Sequence, residues 1–534
     1  MKKILSMILM TTITVTVMAV PARRGPIIQT TEDGTEKIVY LHGNEWFHYM
    51  TDAEGQWLNE KTLMPMTDEQ REARLNAGIA RQARIAKERE EKEDVGTLNL
   101  APRGLIILAN FADKKFKTEH CDIQNMINGE YYSRHFTYKY GGRSYTVDAY
   151  GSARKYFEQQ SDSQYLPQFD VVGPIELPEN MKFYGENDSQ DNDKNVGAMI
   201  KEACEQADRN LNVDFTLYDN DHDGQVDFVY VIYAGYGEAD GGGVNTIWPH
   251  NWDLFNTGKK CKVDGLEIRN YACSNEMDFI SKNYAGIGTF CHEFSHVLGL
   301  PDLYITIEGP DHHTLLDWDI LDYGPYNNSG HTPPGYSAYE KFYMGWLTPR
   351  VLTEPASCIT LGVLSETNDA ILLCDGDSHN LIGVNPNPTT FYILENRQNQ
   401  WGWDKYLPGK GMLITKIQFS ATRWANNTVN NNSRNMGVDI IEATPNETKG
   451  YNATSRKTDA YPEGATEWTG FAGHEVTNIV LEDDMAITFS YRWEGREGIE
   501  SVKDGESATK ILRDGQVLII RNGVTYNAQG AVVK

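Results

Sequence analysis

The feature that most constrains this chain is the stretch "GTFCHEFSHVLGLPDLY" at residues 288–304. His292 and His296 are four residues apart, so on a helix both imidazoles face the same side. Gly299 can take a left-handed conformation and end that helix, and the proline two residues later prevents the helix from resuming. The chain then turns back and can bring Asp302 toward the two histidines.

Two imidazoles and one carboxylate, with a fourth position left open, are the ligand set of a catalytic zinc site. The pattern HExxHxxGxxD therefore predicts zinc held by His292, His296 and Asp302. Glu293 can act as general base on a water held by zinc, whose pKa the metal lowers to roughly 7. The alternative is a core helix with hydrogen-bonded histidines, which the added glycine, proline and aspartate disfavour.

Twenty residues further on, "WDILDYGPYNNSG" predicts a tight turn that could form the floor under the metal. Tyr323 in this turn could direct its phenol at the zinc site and stabilise an oxyanion. It could equally be an aromatic residue packed within the turn. The sequence leaves both interpretations open.

A second metal site is predicted in "YDNDHDGQVDF". Asp219, Asp221 and Asp223 occupy positions 1, 3 and 5 of a calcium-type loop, with Gly224 at position 6 and Asp227 at position 9. Position 12 is a tyrosine rather than a glutamate, so a complete EF-hand is excluded. We expect a structural Ca²⁺, with a solvated acidic turn as the alternative. The segment "GEADGGG" is a weaker calcium candidate.

The N-terminus is typical of an export signal. Lys2 and Lys3 precede an apolar run at residues 4–20, and Ala19 or Ala22 offers a small-residue cleavage site. A membrane anchor is the alternative. We expect signal removal, with no transmembrane anchor left, and a secreted, extracellular or cell-surface protein.

Periodicity and composition indicate mixed α/β and all-β parts. Two buried strands, 103–113 and 227–235, are separated by helical patterns that include residues 194–210, which predicts an α/β catalytic domain. The predicted parts are a signal peptide at 1–22, a small α+β propeptide with a charged linker helix at 23–96, the catalytic domain at 97–350, an all-β sandwich at 351–493, and a linker with a short β-rich tail at 494–534. The tail has two interpretations, a stability appendage and an export-sorting signal.

The net charge of −26 disfavours binding to nucleic acid or anionic membranes. Seven cysteines in a long chain do not make a disulfide framework. Cys261 and Cys273 flank a segment with a predicted turn at Asp264-Gly265, and they could pair across it.

Four segments, in this order along the chain, carry a family resemblance: "YDNDHDGQVDFVYVIYAGYGEA", "GTFCHEFSHVLGLPDLY", "WDILDYGPYNNSGHTPPGYSAYEKFYMGWL" and "FYILENRQNQWGWDKYLPGKGMLI". Together they resemble the immune inhibitor A-type bacterial metallopeptidases of the metzincin group. The resemblance covers roughly residues 100–450. It implies a metzincin-like zincin fold and a secreted zinc endopeptidase made as a proenzyme.

The resemblance also implies that His292, His296 and Asp302 bind zinc and that Glu293 is the general base. Tyr323 matches the tyrosine two residues after the methionine of the family's Met-turn. The chain departs from the family at that methionine, where it has Leu321. Leucine and methionine have similar volumes, so packing beneath the metal should survive.

The sequence therefore predicts a zinc-dependent endopeptidase acting on extracellular proteins or peptides. An alternative is a catalytically weak or inactive surface binding protein built on a peptidase scaffold. A zinc hydrolase acting on something other than peptides is a third possibility that the motif alone does not exclude.

Overall fold

A computed structural model describes residues 19–31, 34–45, 47–78, 102–188, 192–307, 312–376, 379–445, 454–471 and 473–492, with residues 509–513, 516–521, 524–527 and 533 near the C-terminus. Most of the predicted signal peptide, the end of the predicted linker helix, and much of the C-terminal linker and tail lie outside the described residues. The described part is mixed α/β.

The strands, numbered in chain order, are β1 (Pro26–Thr30), β2 (Glu36–Gly43), β3 (His48–Thr51), β4 (Trp57–Leu58), β5 (Arg103–Asn110), β6 (Arg134–Tyr140), β7 (Arg143–Ala149), β8 (Gln168–Glu176), β9 (Gln225–Val226), β10 (Val229–Tyr236), β11 (His250–Asp253), β12 (Cys261–Val263), β13 (Leu266–Ile268), β14 (Asn270–Met277), β15 (Arg350–Val351), β16 (Ala356–Leu361), β17 (Ile371–Leu373), β18 (Thr390–Arg397), β19 (Gly411–Gln418), β20 (Val438–Ile440), β21 (Val476–Leu481), β22 (Ile487–Tyr491), β23 (Thr509–Arg513), β24 (Gln516–Arg521) and β25 (Val524–Asn527).

The helices are α1 (68–78), α2 (His120–Asn128), α3 (Ala153–Gln160), α4 (Met181–Gly185), α5 (Val196–Leu211), α6 (Gly288–Val297), α7 (Ala338–Tyr343), α8 (Leu364–Thr367) and α9 (Ala421–Ala425). Helix α1 begins with the capping box that the sequence indicates. The Thr67 hydroxyl accepts from the Gln70 N–H at 3.2 Å, and the Gln70 amide oxygen accepts from the Thr67 N–H at 2.9 Å.

The N-terminal unit, residues 19–78, contains the antiparallel sheet β1-β2-β3-β4 followed by α1. Its apolar side chains do not form a closed core of their own. Ile27, Val39, Leu41 and Met50 cluster instead with Trp248 of the following region. Burial of this shared surface fixes the N-terminal unit against the central region.

The central region, residues 102–349, is built on a five-stranded sheet of order β11-β14-β10-β5-β8. Strands β14, β10, β5 and β8 are parallel to their neighbours, and β11 is antiparallel to β14 at the edge. Strand β5 is buried along almost its whole length because helices cover both faces of the sheet. Helix α5 contributes to a cluster of buried apolar side chains on one face, and α6 contributes to a second cluster on the other face.

Two sheets follow the central region, in order β15-β17-β18-β19-β20 and β16-β22-β21. Side chains alternate along β18. Tyr392 and Leu394 join an apolar cluster shared with the three-stranded sheet, whereas Phe391 and Ile393 pack into the core of the central region. The larger sheet is therefore covered on both faces and is anchored to the region that carries the zinc motif.

The expected hairpin forms between β12 and β13 and turns at Asp264 and Gly265, which both have positive φ. The cysteine pairing proposed across it is wrong. Cys261 lies opposite Ile268 in the antiparallel hairpin, whereas Cys273 lies on β14 beside β10. Both thiols are free. The return strand of the hairpin ends five residues before Cys273, so the two cysteines belong to different sheets.

Within the part of the chain that the structure describes, no helix combines the length and apolar character that crossing a membrane requires.

Candidate metal centre and catalytic cleft

Helix α6 is buried, and its two faces have different partners. Phe290 and Phe294 stack on each other and pack against Tyr230 and Phe228, aromatic residues in and just before β10. The opposite face carries His292, which has no exposed surface. Apolar packing on the sheet side therefore holds the polar face of α6 in a fixed orientation.

The chain turns back after α6 at Gly299, whose φ is 96°. This left-handed conformation favours glycine, and it carries the backbone around the end of the helix. As a result, the Leu300 carbonyl reaches Nδ1 of His296 at 2.8 Å. Asp302 follows and is fully buried beside the two imidazoles.

Three ligand atoms converge at the end of this turn. The two Nε2 atoms of His292 and His296 are 3.0 Å apart, and Oδ1 of Asp302 lies 3.3 Å from the first and 3.1 Å from the second. Ligands held about 2.0–2.1 Å from one tetrahedral zinc ion lie roughly 3.3 Å from one another. The spacing of these three atoms fits such a site.

The hydrogen bonds of the imidazoles support the same conclusion. Nδ1 of His292 lies 2.6 Å from the Ile320 carbonyl, and Nδ1 of His296 lies 2.8 Å from the Leu300 carbonyl. A carbonyl only accepts, so each Nδ1 carries the proton and each Nε2 presents a lone pair. Two facing lone pairs and a buried carboxylate oxygen repel one another unless a cation lies between them.

Glu293, one residue after the first histidine, is fully buried. Burial, together with the carboxylates of Asp302 and Glu45, raises the pKa of Glu293 well above its usual range. Its Oε1 accepts a hydrogen bond from the backbone N–H of Val20 at 3.0 Å. A segment of the N-terminal unit therefore contacts the expected catalytic base.

The peptide group between Ala19 and Val20 lies across this site. Its N–H donates to Glu293, and its carbonyl accepts from the phenol of Tyr304. Both polar atoms of one peptide bond thus contact groups beside the three convergent ligand atoms. This is the arrangement that a peptidase needs around a peptide bond.

The next residues of the segment lie along the cleft and make hydrogen bonds through their backbone atoms. Trp248 donates its indole N–H to the Val20 carbonyl at 3.0 Å, and Tyr326 donates its phenol to the following carbonyl at 2.7 Å. The Arg23 N–H donates to the Ala239 carbonyl at 2.8 Å. These contacts use backbone atoms, so other peptides could make them too.

Comparison with known proteins agrees with this geometry. Residues 93–347 match the family described as immune inhibitor A peptidase M6, catalytic domain. Residues 93–347 form an immune inhibitor A-type metallopeptidase domain.

Two curated relatives match part of the chain. The pre-pro-metalloprotease PrtV of Vibrio cholerae is 26% identical over 259 residues, which cover 43% of this chain and 28% of PrtV. Immune inhibitor A of Bacillus thuringiensis subsp. alesti is 26% identical over 267 residues, 44% of this chain and 38% of that protein. The matched stretch therefore spans less than two fifths of either relative.

The peptidase domain keeps a tight turn under the metal centre, as expected from "WDILDYG". The Ile320 carbonyl holds His292, and the Leu321 carbonyl accepts from the Leu303 N–H at 2.8 Å. Leu321 itself is fully buried. Leucine at the methionine position is thus buried, and its carbonyl connects the turn to the segment after Asp302.

Tyr323 contacts a residue of the N-terminal segment, and its role as an oxyanion donor stays a prediction. The guanidinium of Arg24 lies 3.7 Å from the centre of its ring. Tyr304, which sequence reasoning missed, is the tyrosine that contacts the peptide carbonyl. Its signal was its place two residues after Asp302, on the segment that returns to the metal centre.

Asn427 was also missed, and it lies outside the matched family region. Its amide oxygen accepts from the Asp302 N–H at 2.7 Å, and its amide nitrogen donates to Oδ2 of Asp302 at 2.6 Å. Both residues are buried. An asparagine just after α9 therefore orients the third candidate ligand, whose Oδ1 remains toward the histidines. Nothing in the local sequence points from Asn427 to Asp302.

In the acidic loop, carboxylate oxygens of Asp219, Asp221 and Asp227 lie within 4.8 Å of one another. Asp223 is not in this group, because its carboxylate accepts from the backbone and side-chain N–H groups of Gln225 at 2.8 and 3.0 Å. Burial raises the pKa of Asp227 to about 6. Three of the four predicted calcium ligands are thus brought together.

Proposed function

We propose that this chain is a zinc-dependent endopeptidase, exported as a proenzyme, that hydrolyses peptide bonds of extracellular proteins. The observation that carries the proposal is the Ala19–Val20 peptide group, which lies between Glu293 and Tyr304 beside three convergent metal ligands. A binding protein does not require a buried carboxylate in contact with a peptide nitrogen.

In this proposal His292, His296 and Asp302 hold zinc. When bound, zinc would polarise the substrate carbonyl and lower the pKa of water to about 7. Glu293 accepts the proton of the attacking water and later delivers it to the leaving nitrogen. The Val20 N–H contact supports this assignment, since it places a peptide nitrogen within hydrogen-bond distance of Glu293. Tyr304, with Tyr323 as the second candidate, donates to the carbonyl oxygen as negative charge develops there.

We further propose that residues 23–96 form a propeptide and that residues 351–493 form a β-sandwich beside the peptidase domain. Residues 20–24 occupy the cleft, so latency also depends on residues before Arg23. Signal removal after Ala19 would break the Ala19–Val20 peptide bond and leave Val20 beside Glu293 through its new α-amino group, whereas removal after Ala22 would take Val20 out of the cleft. A propeptide that begins at Val20 rather than at residue 23 is therefore the form consistent with latency.

The Asp219 loop is proposed as a structural calcium site. Three carboxylates at close range repel one another in the absence of a counter-ion, and calcium prefers oxygen ligands of this type. Asp219, Asp221 and Asp227 would supply ligands, and Asp223 would have to leave Gln225 in order to join them.

Cleavage of unfolded casein tests the proposed activity. The full chain is compared before and after limited trypsin digestion in the charged stretch that follows α1. Wild type is assayed beside Glu293→Ala and beside wild type with a zinc chelator, at constant calcium. We expect the trimmed wild type to cleave casein, the full chain to be much slower, and both controls to lose activity.

The other outcomes separate the alternatives. About one zinc per chain, with no cleavage in any sample, would favour a surface binding protein or a non-peptide substrate. Equal rates for the full and trimmed chains on a small peptide would contradict the propeptide assignment. Absence of zinc would remove the metal centre itself.

A further inference from the structure

We propose that Asp240 and Asp278 form a subsite that binds an arginine or lysine of the substrate, at the fourth residue after the cleaved bond. The inference rests on the proposed peptidase function, and it names a substrate class for that site. In the latent form the subsite holds the side chain of Arg23 from the N-terminal unit.

The position follows from the contacts of the N-terminal segment. Glu293 would protonate the leaving nitrogen, and the nitrogen that contacts Glu293 belongs to Val20. Val20 therefore stands where the first residue after the cleaved bond would stand. Arg23, three residues later, stands where the fourth would stand, and its N–H is held by the Ala239 carbonyl at 2.8 Å.

The subsite is a built feature of the peptidase domain. The Arg23 guanidinium bonds directly to the Asp278 carboxylate, and the side chains are 9% and 6% exposed. Asp240 is also buried, and its Oδ1 accepts no hydrogen bond within the described residues. One cavity is lined by Val20, Asp240 and Asp278 together. It connects the acidic pair to the part of the N-terminal segment that contacts Glu293.

The charges show why this pair requires a cation. Burial and the neighbouring Asp278 raise the pKa of Asp240 to about 8, although Arg23 and Lys282 act against the rise. Lys282 is engaged elsewhere, with its ammonium 3.5 Å from the ring centre of Phe279. When the N-terminal unit leaves, the buried Asp278 carboxylate loses its guanidinium partner, and Asp240 beside it supplies no positive charge in its place. Buried carboxylates without a partner are costly, so a basic substrate side chain is favoured there.

Preference for a basic residue at this position would then come from the acidic pair. The hydrogen bonds from Trp248 and Tyr326 use backbone atoms of the segment, which any extended peptide can reproduce. The apolar side chains of the segment and Arg24 contact other residues than the acidic pair. The buried Asp278 carboxylate, with Asp240 beside it, discriminates strongly between a cationic and a neutral or acidic residue. Extracellular proteins with arginine or lysine four residues after the cleaved bond are the predicted substrate class.

Matched peptides based on "MAVPARRG" test the proposal. The residue at the position of Arg23 is arginine, lysine, alanine or glutamate, and kcat/KM is measured with the trimmed wild type. We expect arginine and lysine to exceed alanine by at least about tenfold, and glutamate to be the poorest. Asp278→Asn should reduce this preference to near unity. Asp122→Asn, at an exposed position of α2, is the charge-matched control and should retain it.

Equal rates for all four peptides, or a preference that survives in Asp278→Asn, would overturn the subsite. Cleavage of no peptide or protein at all would instead count against the proposed function. In that case binding of the peptide "VPARRG" to trimmed Glu293→Ala, measured by calorimetry, decides the inference. Tighter binding than "VPAARG" would support the subsite, and equal binding would refute it.

Discussion

Asn427 offers a sensitive test of how the third ligand is held, because the residue comes from outside the matched family region. Its side chain makes two hydrogen bonds to Asp302, one to the N–H at 2.7 Å and one to Oδ2 at 2.6 Å. Its backbone φ is 52°, where alanine would add strain. Asn427→Gly removes the amide and still permits this conformation.

The expected magnitude follows from the two bonds. A hydrogen bond to a buried carboxylate contributes about 1.5–3 kcal/mol, and an N–H left buried without a partner costs about 1–3 kcal/mol. Loss of a partner that orients a metal ligand lowers metal affinity about 10- to 100-fold. We therefore expect the zinc Kd to rise about 10- to 100-fold, with a fall of about 2.5–6 kcal/mol in the free energy of unfolding of the zinc-free protein.

Competition against a chromophoric chelator measures the Kd, and thermal melting with and without zinc measures stability. The control is Asn212→Gly, since Asn212 is also left-handed, with φ of 51°, but lies exposed at the end of α5. The control should leave the zinc Kd unchanged. A zinc Kd for Asn427→Gly within about twofold of wild type would refute the argument that Asn427 orients Asp302.

Three further predictions concern Tyr304, the acidic loop and Arg23. Tyr304→Phe should lower kcat about tenfold or more with little change in KM, because Tyr304 donates to the peptide carbonyl; a loss seen only in Tyr323→Phe would return this role to Tyr323. Asp219→Asn should abolish any rise in melting temperature caused by calcium, and an unchanged rise would exclude the acidic loop as the site. Arg23→Ala should raise the casein-cleaving activity of the full chain, because it removes the ion pair with Asp278; activity no higher than that of the wild-type full chain would show that Arg23 does not contribute to latency.

Local sequence was sufficient for the elements whose causes are local. The spacing of His292 and His296, with a glycine and a proline after them, predicted a helix, its end and the return of Asp302. The buried strand near residue 103 and the helix near residue 196 were confirmed within a few residues. In each case the side-chain pattern and the backbone conformation are set by neighbours within about a dozen positions.

Cysteine pairing shows where this approach fails. The turn at Asp264-Gly265 was predicted correctly, since two residues with positive φ define it locally. The position of Cys273 was not predicted correctly, because β14 leaves the hairpin and joins the central sheet beside β10. Strand order in a mixed sheet depends on which apolar faces can be buried together, and short-range spacing does not encode that choice.

What the sequence determined by itself was the set of candidate groups: the proposed ligands and their spacing, the proposed base beside them, and the glycine that turns the chain. Tertiary structure alone decided what surrounds that chemistry. It brought Val20 to Glu293 across 273 positions and Asn427 to Asp302 across 125. It also placed Arg23 on an acidic pair and Tyr304 on a peptide carbonyl. Contacts at such separations arise only when separate apolar surfaces are buried against one another, and one stretch of sequence does not specify its distant partner.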